Sequence, residues 1–65
     1  MTASQPDPRD LYAGWTAGEA PFTRGVLRVV VGKRVVWACR HAHLGRRFAM
    51  RCAQAELDRQ KQAAP

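Results

Sequence analysis

Residues 26–31 (Val-Leu-Arg-Val-Val-Val) and 34–39 (Arg-Val-Val-Trp-Ala-Cys) are two β-prone runs set two residues apart by Gly32-Lys33, and this spacing constrains the chain more than any other feature. β-Branched residues favour strands, and glycine first in a two-residue connection fits a type II′ hairpin turn. Such a turn dictates register: Val31 faces Arg34, Val30 Val35, Val29 Val36, Arg28 Trp37, Leu27 Ala38 and Val26 Cys39. One predicted face then carries Leu27, Val29, Val31, Val36 and Ala38. The other carries Val26, Val30, Val35, Trp37 and Cys39, with Arg24, Arg28 and His41 toward the open end. Both faces are apolar, and a two-stranded sheet does not hold alone in water. One face must meet a helix and the other the N-terminal segment, a second copy or a partner.

The helix is predicted over residues 44–62. Leu44, Phe48, Ala49, Cys52, Ala53 and Leu57 recur at three- and four-residue spacing and form an apolar stripe. Upstream, Asp7 reads as an N-cap, Pro8 as a first helical residue and Gly14 as a stop, which predicts a short helical turn followed by loop. The expected organisation is a disordered 1–6, a turn and loop over 7–23, a ββα unit over 24–62 and a tail at 63–65. The fold class is α+β: a β-hairpin followed by one C-terminal amphipathic helix, with the N-terminal turn or loop packed on the sheet. At 65 residues such a core is marginal, so a metal, a homodimer or a bound partner is expected to supplement it.

Charge indicates the class of partner. Nine arginines and two lysines stand against five acids, and residues 24–51 hold eight of the cations and no acid at all. Arg46, Arg47 and Arg51 fall in the first two helical turns, where the macrodipole disfavours each cation by about 0.3–1 kcal/mol. The expectation is a shared exposed surface on the hairpin and the helix start, binding nucleic-acid phosphates through Arg28, Lys33, Arg34, Arg40, Arg46, Arg47 and Arg51. The competing expectation is a protein-interaction module that docks on an acidic protein or on itself, with Trp15, Val30 and Trp37 at the interface. No apolar run approaches a membrane span and the first ten residues are polar, which predicts a cytoplasmic protein.

Cys39-Arg40-His41-Ala42-His43, followed by Cys52, is the constellation with chemistry in it. In an extended segment residues 39, 41 and 43 point one way, and Cys52 on the helix is placed to join them, giving the nitrogen and sulfur donors that zinc prefers. The same cysteines also fit as small core residues, and the histidines as caps of the strand–helix junction. No cofactor is called for apart from that zinc. Trp37 reads as a core residue, with an exposed stacking platform as the alternative. Catalysis is not expected: there is no Ser-His-acid set and no phosphate loop, and neither histidine has a carboxylate near it in sequence.

The pattern Trp37-x-Cys39-x-His41-x-His43, then Ala49, Cys52-Ala53 and Glu56-Leu57, resembles one found in small proteins of actinobacteria and their phages, and that resemblance implies no particular activity. The strand–strand–helix order is more loosely similar to the AP2-like arm-binding domains of phage integrases. That likeness implies a sheet laid on DNA and an accessory protein of phage or mobile-element origin, although the usual threonine cap at the helix start is missing here.

Overall fold

The structure is a computed structural model that describes residues 6–63; the disorder expected of 1–5 and the last two residues of the tail lie outside the described residues. A 3-10 turn at Pro8–Asp10 leads into β1 (Leu11–Ala17), β2 (Thr23–Val29), β3 (Val35–Ala38) and the helix α1 (Arg46–Ala63). The three strands form one antiparallel sheet in the order β1-β2-β3, with α1 packed against it, so the α+β class is as expected.

The first difference is a third strand. Asp7 does cap a helical turn, accepting the Arg9 backbone N–H at 2.9 Å, with Pro8 at its start. The turn stops at Asp10 and Leu11 is already extended, where the sequence predicts continued turn and loop. Pairing decides the matter. As a strand, this segment sets Leu11 opposite Val29 and Ala13 opposite Leu27, and Leu11 becomes buried. Gly14, read as a helix stop, sits in mid-strand opposite Val26.

The second difference is register. Val26 pairs with Ala38, Leu27 with Trp37 and Arg28 with Val35, with an irregularity between Leu27 and Arg28. The turn is longer than two residues. Val29 N–H donates to the Arg34 carbonyl at 2.9 Å, while Val30 N–H donates to Asp10 at 2.8 Å, so the end of β2 follows β1 instead of β3. Gly32 (φ 88°) and Lys33 (φ 58°) close the connection in the left-handed region. The shift sorts the faces anew: Trp37 joins Leu27 on the helix side, and Val36 also packs on the core there, instead of both apolar sets dividing as predicted.

The core consists of Leu11, Leu27, Ala53 and Leu57, with Ala13, Val29, Val36 and Trp37 packed against it. On α1 the buried row is Ala49, Ala53 and Leu57. Leu44 (65% exposed) and Phe48 (56% exposed), predicted as part of the stripe, lie outside it. The reason is closeness. A Cβ on Gly25 of β2 would lie 2.4 Å from the Ala49 carbonyl oxygen and 3.3 Å from the Ala53 Cβ, so helix and strand meet almost backbone to backbone. Only a small-residue row fits against such an approach, and Phe48 is displaced to the surface. Phe48→Ala is therefore expected to change unfolding stability by no more than about 0.5 kcal/mol, against about 3–5 kcal/mol for a core phenylalanine. Urea denaturation distinguishes the two.

No described helix is long and apolar enough to cross a membrane.

Candidate metal centre and cationic surface

The end of β3, the loop after it and the second turn of α1 converge on one point. Cys39 directly follows β3, and its backbone N–H donates to the Gly25 carbonyl at 2.9 Å. The Gly25 N–H in turn donates to Cys39 Sγ at 3.2 Å, which fixes the buried thiol against the middle of β2. Four residues on, His43 forms a two-way backbone bridge with Thr23, each N–H donating to the other's carbonyl at 2.8 Å. The Thr23 hydroxyl donates to the Gly45 carbonyl at 3.0 Å. The loop is thus tied to β2 at both ends, and between them His41 is exposed, with its backbone carbonyl accepting from Cys39 Sγ at 3.2 Å.

From this scaffold the donor atoms of Cys39, His41, His43 and Cys52 come to lie within 4.8 Å of one another. Cys52 Sγ is 3.3 Å from His41 Nε2, and the two imidazole centroids are 4.3 Å apart with the rings edge to face. A tetrahedral zinc, with bonds of about 2.3 Å to sulfur and about 2.0–2.1 Å to nitrogen, sets its donors roughly 3.3–3.8 Å apart, so a small contraction completes the site. One further observation fits a cation. His43 Nε2 is buried without a hydrogen-bond partner, which costs about 1–3 kcal/mol unless its lone pair is used. Burial pushes the Cys52 thiol up from its ordinary value, and the adjacent Cys39 pushes it further, because two thiolates side by side repel. A divalent ion would use the His43 lone pair, and binding it with two thiolates would make the site neutral overall. The four residues singled out in the sequence are the four brought together.

The cations divide between two sides of the domain instead of sharing one surface, which corrects the expectation of a single basic face. Because Leu27 faces the helix, alternation puts Arg24 and Arg28 on the side of the sheet away from α1, beside Thr16 and Tyr12 of β1 and flanking the buried Val26. Arg28 donates to the Lys33 carbonyl at 3.2 Å, and Lys33 and Arg34 lie in the exposed connection before β3. Arg46, Arg47 and Arg51 are exposed on α1 across the sheet, and Arg40 is exposed in the donor loop. The ion pairs among the described residues take up only Arg9, with Asp7, and Arg59, with Glu56. Arg9 holds the Asp7 carboxyl down at about 2, and Arg59, with help from Gln60, lowers that of Glu56. None of the cations between residues 24 and 51 is paired with an acid among the described residues.

The aromatics also differ from expectation. Trp37, weighed as a platform and as an interface residue, is half-buried against the core, whereas Trp15 is 39% exposed with the Arg46 guanidinium 5.3 Å from its ring centroid. Val30 is exposed, as an interface residue needs to be. Sequence reasoning overlooked Thr23 and Gly25, which hold the donor loop; a glycine inside a strand is itself a sign of close backbone approach. No protein-family model, curated protein or solved structure matches the chain.

Proposed function

We propose that this chain is a small zinc-stabilised module that binds nucleic acid. The zinc half is carried by the donor atoms of Cys39, His41, His43 and Cys52 lying within 4.8 Å of one another, together with a buried His43 Nε2 that has no hydrogen-bond partner. Two sulfur and two nitrogen donors in tetrahedral reach select zinc over the hard, oxygen-seeking cations. Every donor position is taken by protein, the mark of a structural ion and not a catalytic one. Its role is to tie β3 and the donor loop to α1. Native mass spectrometry of the zinc-loaded chain should show one zinc ion per chain, and Cys52→Ser should lower the occupancy.

The nucleic-acid half is supported by a formal charge of +6 and by the lack of acid partners for the cations of residues 24–51. Cations held apart from carboxylates are available to phosphates, and binding by phosphate contacts releases counterions. Affinity for labelled DNA or RNA should therefore fall steeply with salt. Replacing Arg46, Arg47 and Arg51 together by alanine should reduce the slope of log affinity against log salt by roughly 2–3. No binding by micromolar protein at low salt would refute the reading.

A second reading has a specific observation in its favour. Val30, Val31 and Val35 are exposed at the far end of β2 and β3, and β1 and β3 are both sheet edges. An interaction module docking on an acidic protein or on itself would use these valines. An alanine scan separates the readings, since the second places the largest losses at the valines and the first at the arginines.

A further inference from the structure

We infer that the end of the domain where the β1–β2 turn meets the start of α1 is a binding surface for single-stranded nucleic acid. Trp15, Phe22 and Phe48 are its stacking faces, and Arg46 and Arg47 its phosphate partners. The inference deepens the nucleic-acid reading above and rests on it.

Two contacts and one chain neighbour place these residues at one end. Arg46 lies over the Trp15 ring at 5.3 Å. Phe22 directly precedes Thr23, whose hydroxyl is bonded to the Gly45 carbonyl, the last residue before the helix. The Phe48 ring comes back toward that same Gly45, 3.7 Å from where a Cβ would stand. The donor loop sits between them, since Thr23 also bridges His43. The rings are not core. Trp15 is 39%, Phe22 41% and Phe48 56% exposed, which leaves three of the five aromatic side chains of a very small protein partly in water. Such a chain is short of apolar surface to bury, so rings kept outside are unusual unless something covers them.

Charge selects the covering partner. The first turn of α1 contains no acid, and Arg46 and Arg47 have no ion pair among the described residues. Aromatic faces interleaved with guanidinium groups suit a polyanion that also offers flat apolar surfaces. A duplex hides its base faces inside the stack, whereas a single strand exposes them. The face of the sheet away from α1 has Arg24 and Arg28 without an aromatic as exposed as these three, so it can contribute only phosphate contacts.

The test uses the full zinc-loaded chain with a fluorescein-labelled single-stranded DNA of mixed sequence and the matching duplex, at low salt. Single strand should bind more tightly than duplex and quench the tryptophan emission. Trp15→Ala and Phe48→Ala should each weaken single-strand binding roughly 5- to 150-fold, the range for one lost stacking contact. Circular dichroism and zinc content should match the parent chain, and Arg24→Ala with Arg28→Ala should weaken single-strand binding less than either aromatic change. Equal affinity for duplex with no effect of the two aromatic substitutions overturns the inference and leaves general nucleic-acid binding standing. No binding of either DNA overturns both. A dimer in sedimentation that Phe48→Ala dissociates assigns the surface to a second copy and likewise overturns the inference.

Discussion

Stripping zinc from the loaded protein with a chelator is expected to unfold it, and restoring zinc to refold it. Four residues form the main core cluster, one of them an alanine, and the helix row facing the sheet is Ala49, Ala53 and Leu57. Alanine adds little apolar burial, so packing alone leaves a domain of this length near the margin of stability. A structural zinc in a small domain contributes an apparent 10–16 kcal/mol at neutral pH, on the order of the whole stability of a folded domain. Loss of the helical circular dichroism signal and collapse of amide chemical-shift dispersion would report the unfolding. Cys39→Ser should reproduce it without chelator, because that thiol is buried and held by Gly25. His41→Ala should be milder, since the His41 side chain is exposed and a water can take its coordination place. A thermal transition that does not move on chelation would remove the zinc proposal.

Gly25→Ala is the second large effect expected. The added methyl carbon would meet the Ala49 carbonyl oxygen at 2.4 Å and the Ala53 nitrogen at 3.1 Å, both helix backbone atoms that cannot rotate aside. Relief would require α1 to lift from β2, exposing Leu27 and Leu57 and pulling Cys52 away from Cys39. Overpacking of this kind costs about 3 kcal/mol or more. Gly14→Ala is the matched control, as its Cβ would meet Val26 Cγ2 at 3.8 Å, an ordinary contact, and should cost less than about 1 kcal/mol. Chemical denaturation of the zinc-loaded variants measures both, and zinc affinity should fall for Gly25→Ala alone. Equal midpoints for the two variants would contradict the close approach.

The donor set was legible as a local pattern of residue types, two sulfur and two nitrogen donors within residues 39–52, but not by strand alternation, since the segment bends at Arg40 and His41 instead of staying extended. The hairpin and the helix were legible for the same reason, one from β-branched runs and the other from three- and four-residue spacing. β1 was not. Asp7 and Pro8 are real helix-start signals, but they govern a single turn, and Leu11 and Ala13 bury more as partners of Val29 and Leu27 than any short helix would allow. The register error followed from that omission, since the unseen strand draws Val30 to Asp10 and lengthens the turn at Gly32-Lys33. The helix face was misjudged toward Phe48 because hydrophobicity was weighed without size. A glycine on β2 opposite alanines four apart on the helix was the available sign that small residues would set the contact.

All four candidate metal donors fall within residues 39–52, and none comes from β1 or β2. Bringing them together closes only short loops, so the entropy lost in capturing an ion is small even in the unfolded chain. A zinc held there would close the C-terminal half through short loops, while β1 joins β2 across the five-residue connection 18–22, so each half of the domain is drawn together by contacts near in sequence.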